Sequence, residues 1–221
     1  MAVLTLDDIR NDQRIETYIR KGDDLLAAMG YTEHSFRHAA LVSRITEQVL
    51  SRLGFSERDV EIGAIAGYMH DIGNVVSRHD HPEMGAVLAE RVLTSLEMPV
   101  EEIASIIGAI GNHEEGSGDV VSSLGAALIL ADKSDVHRSR VRNRDFATFD
   151  IHDRVNYAVE KSFLRVDAAA KTVKLELEID TEISPVIDYF EIFLTRMVMC
   201  RRAAAFLGCR FELVVNSGRL L

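Results

Sequence analysis

The sequence predicts a mainly α-helical chain with a small two-stranded β addition near its C-terminus. Three observations carry that expectation. Apolar residues recur at helical spacing through most of the chain, from Ile9 to Met199. Gly30, Gly54, Gly73 and Gly208 fall where those runs stop, and only three prolines interrupt them. At residues 173–180 the period changes from that of a helix to strict alternation.

Residues 7–28 place Ile9, Ile15, Tyr18, Ile19, Leu25 and Leu26 at helical spacing, with Gly30 as the stop. Residues 33–53 repeat the pattern through Ala39, Leu41, Val42, Ile45, Val49 and Leu50, and Gly54 ends it. Ser56 and Asp59 have the spacing of a capping box with Asp in place of Glu. They open a helix that runs through Ile62, Ile65, Ala66 and Met69 to about Asp71. Pro82 suits the first turn of the next helix, where its missing N–H is not needed. Residues 100–111 read as a helix and 114–118 as a loop. Residues 120–142 read as one long helix, apolar in its first half and charged in its second, and 151–163 as another helix. Val173, Leu175, Leu177 and Ile179 then alternate with Lys174, Glu176, Glu178 and Asp180, the pattern of a half-buried strand. Residues 183–207 return to helix, closed by Gly208. Residues 210–215 read as a second strand whose natural partner is the first, in a hairpin-like element.

Lysine and arginine number 25 against 35 aspartates and glutamates, a net charge of −10, so a general nucleic-acid binder is not expected. With 47% hydrophobic and 27% charged residues the composition is globular, which sets disordered and fibrous classes aside. A length of 221 residues fits a single domain over 1–221. The longest apolar run, 124–131, falls far short of the roughly 18 residues that span a bilayer. Residues 1–8 lack the basic start and apolar stretch of a secretory signal. Cys200 and Cys209 make no disulfide framework, so a cytoplasmic setting is expected.

Six of the eight histidines fall between residues 34 and 113. His70-Asp71 is the centre of the pattern. Consecutive side chains on a helix diverge by about 100°, so both can reach one metal only where the helix is ending. The Gly73-Asn74 break supplies that ending. His38 lies within a helix, His81 at a helix start before Pro82, and His113 at a helix end before Glu114. Each alone reads as a satisfied core, capping or terminal histidine. Asp132 interrupts the apolar run Leu128-Ile129-Leu130-Ala131, where a carboxylate is costly unless paired or bound to a cation. One metal site accounts for all of these residues more economically than a separate explanation for each. Imidazole nitrogen with carboxylate oxygen suits Fe, Zn, Ni or Mn.

The ordered phrases Arg37-His38-Ala39-Ala40-Leu41-Val42, Ala66-Gly67-Tyr68-Met69-His70-Asp71-Ile72-Gly73, His81-Pro82-Glu83-Met84-Gly85-Ala86, Asn112-His113-Glu114 and Leu130-Ala131-Asp132-Lys133 resemble the HD-domain superfamily of metal-dependent phosphohydrolases. The resemblance covers about residues 30–140 and implies a helical metal-binding core there. The C-terminal helices and β element would follow at 150–221. It implies that His38, His70, Asp71 and Asp132 hold a first metal. In members with two extra histidines a second metal is bound, which maps to His81 and His113 with Asp71 bridging. The cofactor expected is one or two divalent transition metals per chain, Fe, Mn, Ni, Co or Zn. Many members carry Lys at the position of Asn74, where it meets the substrate phosphate, and Asn lacks that charge. Some two-metal members have two histidines in a row where this chain has Asn112-His113. The Gly-Tyr-Pro motif of the branch that cleaves cyclic dinucleotides is absent.

His34 stands one helical turn before His38 and can face the same pocket as a substrate group, or be a boundary residue. Arg138, Arg140, Arg142 and Arg144 alternate; on a helix residues two apart point to different sides, so all four cannot line one pocket, while Arg138 and Arg142, four apart, share a face. Lys133, Asp135 and Arg138 lie within two turns of Asp132, where one or more can reach substrate. The expected roles are catalysis for Asp71 and Lys133, and substrate contact for His34, Asn74 and Arg138. The expected activity is hydrolysis of a small phosphate ester, a nucleotide or a relative, by a metal-activated water at a dinuclear site. A di-iron oxygenase of the same superfamily and a non-catalytic metal- or ligand-binding module are the alternatives. The partner expected is a small molecule, with no membrane and with a homodimer allowed.

Overall fold

The computed structural model describes residues 3–220. The expected first helix is broken in two, α1 (Leu6–Arg10) and α2 (Gln13–Ala28). Asp12 leaves the helical conformation, and its carboxylate accepts the N–H groups of Arg14 and Ile15 and starts α2 afresh. Next come α3 (Phe36–Arg52), α4 (Glu57–Met69), α5 (His81–Ser95) and α6 (Val100–Gly111), close to the expected bounds. At the start of α4, Ser56 Oγ accepts the Asp59 N–H at 3.1 Å. An apolar cluster through Ile9, Ile15, Ile65, Met69, Leu93 and Ile106 joins α1, α2, α4, α5 and α6. A helix α7 (Ser123–Lys133) packs on α3 and α6 through Val42, Ala109, Leu128 and Ala131.

The C-terminal third departs from the expectation in three places. α7 ends at Lys133, not near residue 142. The Ser134 hydroxyl turns back to the Ala131 carbonyl at 2.7 Å, and the Asp135 side chain is drawn to His38 and Arg37. The arginines beyond it lie in a loop with a short 3₁₀ turn, Arg138–Arg140, so the helical spacing argument does not apply to them. Helix α8 (Ile151–Ala158) stops early, and Val159 begins strand β1 (Val159–Asp167). β1 is a sheet edge, exposed on one side and half-buried on the other, so it shows no clean apolar alternation.

Strand β2 (Thr172–Ile179) is as expected, with Val173, Leu175, Leu177 and Ile179 buried. Helix α9 (Val186–Phe206) connects it to β3 (Arg210–Val215), which pairs with β2 in parallel, Thr172 opposite Arg210 and Leu177 opposite Val215. The two expected strands are therefore neighbours, but as a crossover and not a hairpin, because a parallel pair needs a long connection. β1 pairs with β2 antiparallel. A two-residue turn at Asn216 and Ser217, with φ of 48° and 66°, folds β4 (Gly218–Arg219) back on β3. The result is a mixed sheet in the order β1-β2-β3-β4, four strands where two were expected. Its buried face packs on α7 and α9 through Leu130, Leu175, Tyr189, Phe193 and Leu213. Both cysteines are free, and among the described residues no helix is long and apolar enough to cross a membrane.

Candidate metal centre

Four histidines meet from four elements, each fixed through its outer ring nitrogen. His38 projects from α3, and its Nδ1 lies 2.7 Å from Asp135 Oδ2. His70 caps α4, with Nδ1 2.9 Å from the Gly67 carbonyl. His81 opens α5, with Nδ1 2.8 Å from the Arg78 carbonyl. His113 follows α6, with Nδ1 2.7 Å from the Ile110 carbonyl. A carbonyl or carboxylate can only accept, so each Nδ1 donates outward and each Nε2 faces inward, where it can offer a lone pair to a metal once it carries no proton. The approach of these elements depends on Gly73, where a Cβ would lie 2.0 Å from the His81 carbonyl oxygen.

The inward nitrogens form two pairs, His38 with His70 and His81 with His113, each 3.2 Å apart between Nε2 atoms. Asp71 stands between the pairs and divides its oxygens. Oδ2 is 3.6 Å from His38 Nε2 and 3.4 Å from His70 Nε2, while Oδ1 is 3.4 Å from His81 Nε2 and 3.8 Å from His113 Nε2. Asp132 Oδ1 adds a second oxygen to the first pair, 3.3 Å from His38 and 3.6 Å from His70. Neighbouring donors around a cation with bonds of about 2.1 Å lie roughly 3.0–3.5 Å apart. Five of these separations fall in that range. The other three, His38 to Asp71, His70 to Asp132 and His113 to Asp71, lie just beyond it at 3.6–3.8 Å. Overlapping groups drawn from His38, His70, Asp71, His81, His113 and Asp132 could each hold an ion.

Charge divides the centre as well. Burial disfavours the charged form of His70, but Asp71 and Asp132 overcome it and raise the pKa to about 10. His113 is equally buried, lacks a matching carboxylate and is pushed down to about 3, first by burial and then by His70 and His81. His81 is lowered by burial. Burial works against the ionised forms of Asp71 and Asp132, yet His70 beside Asp71 and Lys133 beside Asp132 hold both carboxyls well below the usual range. Lys133 is buried, with Nζ 2.9 Å from Asp132 Oδ2, 3.0 Å from Glu114 Oε2 and 2.6 Å from Glu115 Oε2. Those carboxylates outweigh its desolvation and raise its pKa.

A cavity of about 390 Å³ is lined by Tyr31, His34, Arg78, Arg140, Asn156 and Arg196, among others. His34 belongs to it. Its Nδ1 is held by the Thr32 carbonyl at 2.8 Å, its ring centroid lies 5.3 Å from that of His38, and burial and Arg140 keep it neutral. The other two expected substrate residues lie elsewhere. Asn74 is buried, gives its amide N–H to the Asp71 carbonyl at 3.0 Å and leaves its Oδ1 without a partner among the described residues. Arg138 pairs with Glu160 at 3.0 Å and stacks over Tyr157. Neither lines the cavity.

Three contributors were not assigned these roles from the sequence. The spacing puts Asp135 among the residues near Asp132 of which one or more can reach substrate, whereas its carboxylate holds His38, with Arg37 and Arg140 beside it. Arg78 reaches to 3.8 Å from Glu114 and lies over Tyr31. Arg196 comes from α9 and bonds Glu115 at 2.8 Å. Its sequence signal was an arginine between the buried positions Phe193, Met197 and Cys200 of an otherwise apolar helix face.

The HD-domain family model matches residues 31–155, and the chain belongs to that family. The chain is similar to the uncharacterized protein MJ1020 of Methanocaldococcus jannaschii, with 22% identity over 199 residues that cover 80% of this chain and 76% of that one. It also aligns with a crystal structure described as a predicted HD superfamily hydrolase from an uncultured Thermotogales bacterium. That alignment has 22% identity and a TM-score of 0.45, and covers 57% of this chain and 68% of that one.

Proposed function

We propose that this chain is a metal-dependent phosphohydrolase, a phosphatase or phosphodiesterase, acting on a small phosphate ester such as a nucleotide. The observation that carries the reading is the division of Asp71, one oxygen toward His38 and His70, the other toward His81 and His113. In this reading His38, His70, Asp71 and Asp132 hold one divalent metal, and His81, His113 and Asp71 hold a second, with Fe, Mn, Ni, Co or Zn suited to the donor set. The bound metals supply Lewis acidity, lowering the pKa of a water and neutralising charge on the phosphoryl group.

The chain's own residues do the rest. Arg78 and Arg196 offer guanidinium groups to phosphate oxygens in the cavity. His34, neutral and with Nδ1 committed to Thr32, has Nε2 available to accept a hydrogen bond from a substrate hydroxyl. Lys133 keeps Asp132 and Glu114 ionised and in place. With Asn74 buried against the Asp71 backbone, the phosphate-binding charge falls to the two arginines.

The test is turnover of a panel of nucleotides, phosphomonoesters and phosphodiesters with Mn, Fe, Co or Ni added. Hydrolysis that chelation abolishes is expected. No turnover with any of these metals would overturn the proposal, and oxygen consumption by the reduced iron form would move the chain to the oxygenase class.

A further inference from the structure

Helix α9 has two apolar faces. One is buried, with Tyr189, Phe193, Met197, Cys200 and Ala203 in the core. The other is open, with Ile187 69%, Leu194 55% and Val198 41% exposed. These residues and Ala205 follow one another at intervals of seven, four and seven, which keeps them on one stripe of the helix. Phe190, Leu194, Met197, Val198 and Leu220 line a shallow apolar cavity of about 290 Å³ beside this stripe, with Arg201 at its edge. Two exposed charges also lie on the stripe, Glu191 near its start and Arg201 near its end. Neither has an ion-pair partner among the described residues.

We propose that this face of α9 binds the same face of a second copy, antiparallel, to make a two-fold symmetric dimer. The argument is that the stripe is complementary to itself when reversed. With the two-fold axis passing beside position 196, Leu194 meets Val198 of the second copy, Ile187 meets Ala205, and Glu191 meets Arg201. Every contact is made twice, as an isologous interface requires. A parallel arrangement would set Glu191 against Glu191 and Arg201 against Arg201. Antiparallel packing also aligns the helix dipoles favourably. The same helix carries Arg196 on its inner side to Glu115, so the dimer would brace a cavity arginine from behind.

The experiment is sedimentation equilibrium of the full chain at micromolar concentrations, with circular dichroism to confirm folding. The wild type is expected at twice the chain mass. Leu194→Asp should give a folded monomer. Glu191→Arg should weaken the dimer by about tenfold or more through like charges at both pairs, and the exchange Glu191→Arg with Arg201→Glu should restore it. A monomeric wild type, a dimer that Leu194→Asp leaves as tight as before, or a double variant no tighter than Glu191→Arg would each overturn the proposal.

Discussion

The two histidine pairs flanking Asp71 have the same spacing, 3.2 Å between Nε2 atoms, yet their surroundings differ in charge. The His38–His70 pair has Asp71 and Asp132 in front of it and Asp135 behind His38. The His81–His113 pair has one oxygen of Asp71 at 3.4 and 3.8 Å, and Glu114 only at 4.0 Å from His81. His70 is raised to about 10 and His113 lowered to about 3 although both are buried. Burial lowers both, and their neighbours separate them: Asp71 and Asp132 raise His70, while His70, His81 and Lys133 lower His113 further. Under the proposed function the first half is the tight metal position and the second the weaker one.

The largest expected effect breaks both halves together. Asp71→Ala removes the shared carboxylate and should lower hydrolysis by at least about 10³-fold, measured as initial rate with saturating metal. Asp135→Asn spares every inward-facing atom and removes only the anion behind His38. It should weaken the tight position by about 10–100-fold in metal titrations and leave the other close to wild type.

The pH dependence separates the halves next. Metal at the first pair must displace a proton from His70, whose pKa in the metal-free protein is about 10. Apparent affinity there should rise by about tenfold per pH unit between about pH 7 and 9. His113, at about 3, has no proton to lose over that range, so the second position should stay nearly flat. The same shift affects folding. His70 is raised above its ordinary 6.5, so its contribution to the stability of the chelated protein is full below that pH and lost as pH climbs toward about 10. Denaturant titrations of the chelated protein check the sign.

Smaller effects test which arginines belong to the cavity. Arg196→Ala should raise KM by about tenfold, through a lost charge-assisted hydrogen bond to phosphate. Arg138→Ala, whose partner Glu160 is exposed, should change rates less than about twofold and stability by roughly 0–1 kcal/mol.

The contrast between regions extends to what the sequence reveals. Of the residues the structure brings together, His70-Asp71, His81, His113 and Asp132 stand out in the sequence because each sits at a helix end or interrupts an apolar run, whereas His38, within a helix, stands out only through the resemblance to the family. Helices α3 to α6 were legible from periodicity and caps. β1 was not, because an edge strand exposed on one side needs no apolar alternation. The end of α7 was not, because what draws the chain away is the bond from Asp135 to His38, 97 residues earlier. The parallel pairing of β2 and β3 depends on the crossover through α9, and strand patterns alone do not distinguish it from a hairpin. Arg196 reaches the cavity across 81 residues from its partner Glu115; its place among the buried positions of α9 marks it as inward-facing but not which element it meets.

The most direct test of the central claim is the metal content per chain of the wild type and of His113→Ala, measured by elemental analysis after reconstitution with Mn or Fe. The account predicts two equivalents for the wild type and one for the variant, the loss falling on the half with fewer carboxylates. One equivalent in both proteins, or none in either, would contradict it.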